Sequence, residues 1–350
     1  MVLDWFIGLF SKDMGIDLGT ANTLVCVTGR EEILAEPSVV AVKRGTNQVL
    51  MNGEAVGNRA KEMADKAPPS IHVIRPLKDG VIADFDITEA MLRYFIRKVH
   101  NRHRLFNPRV VIAIPSGITP VEKRAVFNSA QRAGARRVFL IEEPKAAGIG
   151  AGLPITEPVG SMIVDVGGGT TEVAVMSLGG VVTATSIRVA GDEMDQAIVE
   201  YCKRRFNLDI GLRSAERVKI EVGSAYPLES ELRTIVKGRD LGTGLPRAQE
   251  LGSEDIREAL EEPTEVVCEA ILQTLDQTPP ELAADLVDLG ITLTGGGSLL
   301  RSLDKVIEER TNLSVTIADD PLGSVARGTR EVLLHLDKMM SVLESGDHEY

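Results

Sequence analysis

Two short stretches set a carboxylate beside a turn of small residues. One reads Ile16-Asp17-Leu18-Gly19-Thr20-Ala21-Asn22-Thr23; the other reads Val164-Asp165-Val166-Gly167-Gly168-Gly169-Thr170-Thr171. Asp17 and Asp165, Gly19 and Gly167, and Thr23 and Thr171 correspond at one constant spacing, which marks an internal repeat. Turns with little or no Cβ bulk can aim successive backbone N–H groups at an anion. Gly19–Asn22 and Gly167–Thr170 are each suited to a phosphate in this way. A carboxylate next to a phosphate is costly unless a cation intervenes. Mg²⁺ suits that place, keeping most of its waters and touching the two aspartates directly or through water. A third turn, Gly295-Gly296-Gly297-Ser298, follows an apolar stretch. No G-x-x-x-x-G-K-[ST] sequence occurs, and none of the turns fits G-x-G-x-x-G well. Each turn alone reads as readily as a tight hairpin without a ligand. The matched pair together with the third turn favours phosphate binding.

These turns need elements to hold them. Met14–Val27 reads as strand, turn and strand, and Val39–Val42 as a further strand after Glu36-Pro37-Ser38. Asp86 and Glu89 have the spacing of a capping box. Met91, Leu92, Phe95, Ile96 and Val99 then predict a helix running to about Arg104. The apolar run Arg109–Ile114 predicts a buried parallel strand. Thr119, Pro120 and Glu122 are the N-cap, first and third positions of another helix, which Gly134 should end. Arg137–Ile141 is the next strand. Strand, capped helix and strand make a βαβ unit, so the class is α/β. Ser161–Met176 repeats the opening strand–turn–strand, which predicts two related lobes, each offering a hairpin to one cleft. Glu344–Tyr350 is polar and is expected to fray.

Composition narrows the function. At 350 residues the chain predicts two domains or one two-lobed unit. Hydrophobic residues at 43% and charged residues at 26% exclude wholesale disorder. Asp and Glu outnumber Lys and Arg by 51 to 39, a net charge of −12, which argues against nucleic acid as a partner. Cys26, Cys202 and Cys268 are far apart and form no C-x-x-C pair. They read as incidental thiols of a reduced cytoplasmic protein, not as a disulfide framework or metal site. No apolar run approaches the ~18–20 residues that span a bilayer. The opening MVLDWFIGLF lacks the basic lead and cleavage site of a signal peptide. Its Val2, Trp5, Phe6, Leu9 and Phe10 fall on one helical face.

IDLGTANT, VDVGGGTTE and LTGGGS look like the phosphate-1, phosphate-2 and adenosine motifs of the actin, Hsp70 and sugar-kinase superfamily. Within it, EPSVVAV, IRPLKDGVIADFD, FIRKVHNR, IPSGITPVEKRAV, AGARRVFLIEEPKAAGIGAGLPI, SAERVKIEVGSA, VKGRDL, TPPELAADL and ADDPLGSVARGT resemble the MreB family of bacterial actins. The resemblance runs from about Lys12 to Leu336. It implies an α/β, actin-like, two-lobed fold of duplicated RNase H-like domains, with four subdomains and nucleotide in a central cleft. Residues 1–11 would be an amphipathic membrane-binding segment. Lobe I would span 12–145 with a return at 320–350, and lobe II 146–319.

Carried onto this sequence, the resemblance has ATP or ADP bound with Mg²⁺, the metal managed by Asp17 and Asp165. Gly19, Thr20, Ala21 and Asn22, and Gly167, Gly168, Gly169 and Thr170, would bind phosphates. Glu216, Arg217, Val218 and Lys219 would lie at the nucleoside, and Gly295, Gly296, Gly297 and Ser298 would close over the adenine side. Glu143 would position the attacking water with Thr170. On chemistry alone Glu142 is as suitable as Glu143, and Lys219 is as readily one half of a surface ion pair. Two positions depart from the family pattern: Ala190 and Arg330 stand where glycine is usual.

The function so implied is an ATP-dependent, membrane-associated filament with slow Mg-dependent ATP hydrolysis, organising cell-wall synthesis and rod shape. Its partners would be its own copies in paired protofilaments, the cytoplasmic face of the inner membrane, and cell-wall synthesis and shape-complex proteins. Trp5, Phe6, Leu9, Phe10, Leu105 and Phe106 would touch the membrane. Each large apolar side chain contributes about 1.5–3 kcal/mol on burial, so one copy would hold marginally and a polymer by avidity. The alternative is a sugar or acid kinase of the same superfamily. That chemistry needs a general base beside an acceptor hydroxyl, and no such local motif stands out.

Overall fold

Residues 12–64, 66–78, 80–99 and 107–344 are described by a computed structural model. Trp5, Phe6, Leu9, Phe10, Leu105, Phe106 and the tail after Glu344 lie outside them. The chain divides into two units. One holds the residues up to Pro158, Met176–Val181, and those from Leu322 onward; the other holds Val159–Val175 and Val182–Pro321.

The first unit is built on a five-stranded sheet. Its strands are β1 (Met14–Leu18), β2 (Asn22–Val27), β3 (Leu34–Pro37), β8 (Arg109–Ile114) and β9 (Arg137–Glu142), in the order β3-β2-β1-β8-β9. The run RVVIAI, from Val110 on, is sealed from solvent, as expected of a strand covered on both faces. β1 runs parallel to β8, with Asp17 opposite Ala113, and antiparallel to β2. A small sheet of β4 (Val40–Lys43) and β5 (Ile71–Ile74) packs Ala41 in a cluster with Ala55 and with Ala60 of helix α1 (Asn58–Ala64). β6 (Leu77–Lys78) and β7 (Val81–Ile82) form a short hairpin.

Helices α2 (Phe85–Val99) and α3 (Pro120–Ala133) pack together and bury Leu92, Phe95 and Val126 over the sheet. At α3 the local chemistry acts as read. Glu122 N–H donates to Thr119 Oγ1, the Glu122 carboxylate accepts from Thr119 N–H, and Gly134 ends the helix left-handed. At α2 the capping expectation is corrected. The cap is Asp84, whose Oδ1 accepts from Ile87 N–H at 3.1 Å, so the cap lies two residues before Asp86 and the helix starts at Phe85. Asp84 wins because it lies three residues before the amide it caps, the geometry an N-cap requires.

Helix α4 (Glu143–Gly150) belongs to this unit. The reason is its contact with the return helix, Ser324–Leu334. A Cβ on Gly150 would stand 1.8 Å from Ser324 O, and one on Gly328 would stand 1.8 Å from Ala146 O. Only glycines allow that approach.

The second unit repeats the plan. β10 (Ser161–Val166), β11 (Thr171–Ser177), β12 (Gly180–Ile187), β16 (Ile291–Thr294) and β17 (Val315–Ile317) lie in the order β12-β11-β10-β16-β17. β10 is parallel to β16, with Asp165 opposite Thr294. In both sheets the first strand sits in the middle, its hairpin partner and the next strand lie to one side, and two parallel strands lie to the other. The residue echo is therefore also an echo of topology. Helices α5 (Gly191–Phe206), α6 (Leu212–Val222) and α7 (Ser253–Asp276) pack together beside a sheet of β13 (Leu208–Asp209), β14 (Arg233–Asp240) and β15 (Pro246–Gly252). α8 (Pro280–Leu289) and α9 (Leu303–Thr311) complete the unit around a core that includes Val164, Ile198, Val218 and Leu293. Cys26, Cys202 and Cys268 are buried free thiols. Among the described residues no helix is long and apolar enough to cross a membrane.

Candidate functional site

In the first unit, β1 carries Asp17 to the start of the Gly19–Asn22 turn. The turn is tied off by its neighbours. Ser38 Oγ donates to Gly19 O at 2.6 Å, Ser38 N–H donates to Ala21 O at 2.9 Å, and the Ser38 and Thr23 hydroxyls lie 2.9 Å apart. Gly80 N–H donates to Thr20 Oγ1 at 3.2 Å, joining the turn to the β6–β7 hairpin. Ser38 and Thr23 are fully buried, so these bonds are made away from competing water. Ser38 is a residue of the site that sequence reasoning left unassigned. Its signal was the Glu36-Pro37-Ser38 stretch, read only as the approach to the Val39–Val42 strand and as part of the family resemblance.

Glu143 is the first residue of α4, followed by Pro144. The carboxylate of Glu142 is committed elsewhere: Lys145 Nζ meets Glu142 Oε2 at 2.9 Å and Glu344 Oε1 at 3.5 Å, and Lys123 pairs with Glu344 as well. Lys145 is itself buried, so its charge depends on those carboxylates. Beyond Ala113, the chain Ile114-Pro115 lines an apolar pocket with Leu18, Leu77 and Ile118.

In the second unit, β10 carries Asp165 to the Gly167–Thr170 turn, which Gly167 N–H closes by donating to Thr170 O at 2.9 Å. Gly295 follows β16, the strand paired with β10, and its φ is +80°. Register thus brings the Asp165 turn and the Gly295–Ser298 turn together. Ser298 Oγ donates to Gly295 O at 2.7 Å, and Gly295 N–H donates to Pro321 O at 2.9 Å. Asp165 is 8% exposed, and burial pushes its carboxyl up to about 7.

Helix α5 starts against the same turn. Gly191 N–H donates to Gly167 O at 3.2 Å, and Asp192 N–H donates to Gly168 O at 2.7 Å. Of the α6 residues, Glu216 is exposed, whereas Val218 is packed in the core. Arg217 pairs with Glu221 at 2.7 Å. Lys219 Nζ donates to Gly191 O at 2.7 Å and stands 2.8 Å from Asp195 Oδ1, an ion pair rather than an aligned hydrogen bond. Gly191 and Asp195 were not singled out in the sequence as site residues; the GDEMD stretch drew notice only for Ala190.

The two departures from the family pattern are accommodated. Ala190 has an extended backbone, φ −158°, which any residue adopts, and its N–H donates to Glu193 Oε2. Arg330 Nη1 donates to Arg30 O at 3.2 Å.

A hard divalent cation suits the Asp165 corner, because a positive ion would relieve the burial that raises its carboxyl. Among the described residues no cluster of three or more ligating side chains exists.

A five-stranded sheet of one order, built twice, each copy with an aspartate at the end of its first strand, is the actin-like architecture. The crystal structure of MreB5 of Spiroplasma citri bound to AMPPNP superposes with a TM-score of 0.87 at 36% identity, covering 94% of this chain and 98% of that one. A second structure of the same protein is bound to ADP and matches equally well. A MamK double helical filament shares the fold, with a TM-score of 0.78 at 23% identity.

The sequence profile described as MreB/Mbl protein matches residues 11–341. The chain is 51% identical over 337 residues to the cell shape-determining protein MreB of Escherichia coli K12, covering 96% of this chain and 97% of that protein. It is 46% identical over 331 residues to the cell shape-determining protein Mbl of Bacillus subtilis 168, covering 95% and 98%. The chain belongs to the MreB/Mbl family.

Proposed function

We propose that this chain is an actin-like cell-shape protein that binds ATP or ADP with Mg²⁺ and assembles into filaments. The observation that carries the reading is the duplicated aspartate–glycine turn at equivalent strand ends, in a chain whose relative MreB5 binds AMPPNP and ADP. The amides of Gly19–Asn22 and Gly167–Thr170 bind phosphates, Asp17 and Asp165 hold the metal directly or through water, and Gly295–Ser298 and Glu216 face the nucleoside. Bound Mg²⁺ supplies charge neutralisation at the phosphates.

ATP hydrolysis needs water placed in line with the γ-phosphate, and positioning accounts for most of the barrier reduction. Glu143 and Thr170 orient that water, and turn amides take up the developing charge. Glu142, bound to Lys145, is poorly free to share that task. Hydrolysis is slow and tunes assembly into paired protofilaments. The filament lies on the cytoplasmic face of the inner membrane through Trp5, Phe6, Leu9, Phe10, Leu105 and Phe106, and there organises the wall-synthesis and shape proteins that maintain rod form. Many weakly held copies make the attachment firm.

Sedimentation of the full chain with and without Mg-ATP tests this reading. ATP-dependent pelleting supports it. A soluble chain that transfers phosphate to a small sugar or acid would replace it with the kinase reading.

A further inference from the structure

We propose that Asp195 is a positioning residue for the Gly167–Thr170 turn, acting through Lys219 and the carbonyl of Gly191. The proposal rests on the reading that this turn binds nucleotide phosphates. Asp195 lies one helical turn after Gly191, so its side chain and the Gly191 carbonyl face the same side of α5. One ammonium, Lys219 Nζ from α6, meets both: 2.7 Å to Gly191 O and 2.8 Å to Asp195 Oδ1. Asp195 is 7% exposed, and a buried carboxylate is retained only at a cost unless it is paired.

The pair matters because of what the start of α5 holds. Gly191 N–H and Asp192 N–H fix the carbonyls of Gly167 and Gly168. In a trans peptide the C=O of one residue and the N–H of the next point in opposite directions. Fixing those two carbonyls toward α5 therefore directs the N–H groups of Gly168 and Gly169 away from it, as donors for an anion. Gly191 packs closely on both: a Cβ there would be 3.3 Å from Gly167 O, a tight approach, and 3.5 Å from Lys219 Nζ, an ordinary contact. The links run from α6 through the ammonium to the first turn of α5 and on to the phosphate turn. Asp195 keeps the ammonium over the Gly191 carbonyl.

The charged groups facing Asp195 are Lys219 and Glu216 from α6 and Asp192 from its own helix. Burial, aided by the two carboxylates and opposed by Lys219, pushes the Asp195 carboxyl up to about 6. Protonation below that pH releases the ammonium.

Asp195→Asn, Lys219→Met and the double variant test the idea, with two readouts on the full chain. The first is amide exchange at Gly168–Thr170 in the nucleotide-free protein. The second is Mg-ATP affinity between pH 5 and 7.5. Exchange in Asp195→Asn should quicken, and affinity at pH 7.5 should fall roughly tenfold, on the scale of one lost charge-assisted hydrogen bond. As pH drops through 6, wild-type affinity should weaken more steeply than that of Asp195→Asn, in which only the Asp165 titration common to both remains. The double variant should exchange no faster than the worse single variant, because both cut one link. Unchanged exchange, or strictly additive effects, would overturn the proposal, and Lys219→Met decides it should Asp195→Asn fail to fold. A wild-type chain that ignores Mg-ATP, with exchange still quickened by Asp195→Asn, would sink the nucleotide reading and leave this one standing.

Discussion

Gly295 lies against Asp165 so closely that a Cβ built on it would stand 2.3 Å from Asp165 Oδ1 and 2.4 Å from Val166 O. Parallel pairing of β10 with β16 puts Asp165 opposite Thr294, and the chain then turns across the carboxylate at a φ of +80°. The aspartate and the glycine turn thus form one piece of structure in the second unit.

Gly295→Ala should damage both. An alanine there meets a backbone conformation it rarely adopts and a carbonyl that cannot step aside. The expected loss is about 2–4 kcal/mol of stability, seen as a lower thermal midpoint. Affinity for Mg-ATP should fall with it. An unchanged midpoint would show that the turn rearranges freely.

Asp165 should make stability depend on pH. An unfolded aspartate titrates near 3.8 and the buried one near 7. Between those values the folded chain keeps a proton that the unfolded chain has released. Stability of the nucleotide-free protein is therefore highest below the lower value and declines as pH rises to the upper one, by no more than about 1.4 kcal/mol per pH unit. Denaturant midpoints from pH 4.5 to 7.5 should show this slope in the wild type and a shallower one in Asp165→Asn. Parallel slopes would mean that the carboxyl titrates normally.

Glu143 and Glu142 should separate cleanly. Glu143→Ala should slow phosphate release from Mg-ATP about a hundredfold while nucleotide still binds. Glu142→Ala should spare hydrolysis but cost about 1–3 kcal/mol, because Lys145 loses its 2.9 Å partner inside the unit. Equal hydrolysis in both variants would remove Glu143 from the mechanism.

What the amino-acid order made legible was local. Thr119, Pro120, Glu122 and Gly134 spell both ends of α3 because a cap and a left-handed stop are written within a few residues. The repeated aspartate–glycine turns foretold a repeated strand–turn–strand, because each turn is written between two apolar runs; the strand order around it rests on pairings far apart in sequence. The cap of α2 was misjudged because Asp84 and Asp86 are both good caps by type, and only the backbone path chooses. The extent of the first unit depended on Gly150 and Gly328 meeting across helices far apart in sequence. Ser38 and Asp195 escaped notice for the same reason. Each acts on a turn from another element, and no spacing along the chain records that meeting.

The two halves are unequal at one matched place. Asp17 faces Ala113, after which the chain reads Ile114-Pro115; Asp165 faces Thr294, after which it reads Gly295-Gly296. If one ancestral segment was copied and joined to itself, the descendants kept the acidic corner twice but the glycine corner once. The other copy turned that corner into a greasy hollow beside Leu18 and Leu77. The two acidic corners are therefore not interchangeable: only the second unit closes a glycine turn over its aspartate.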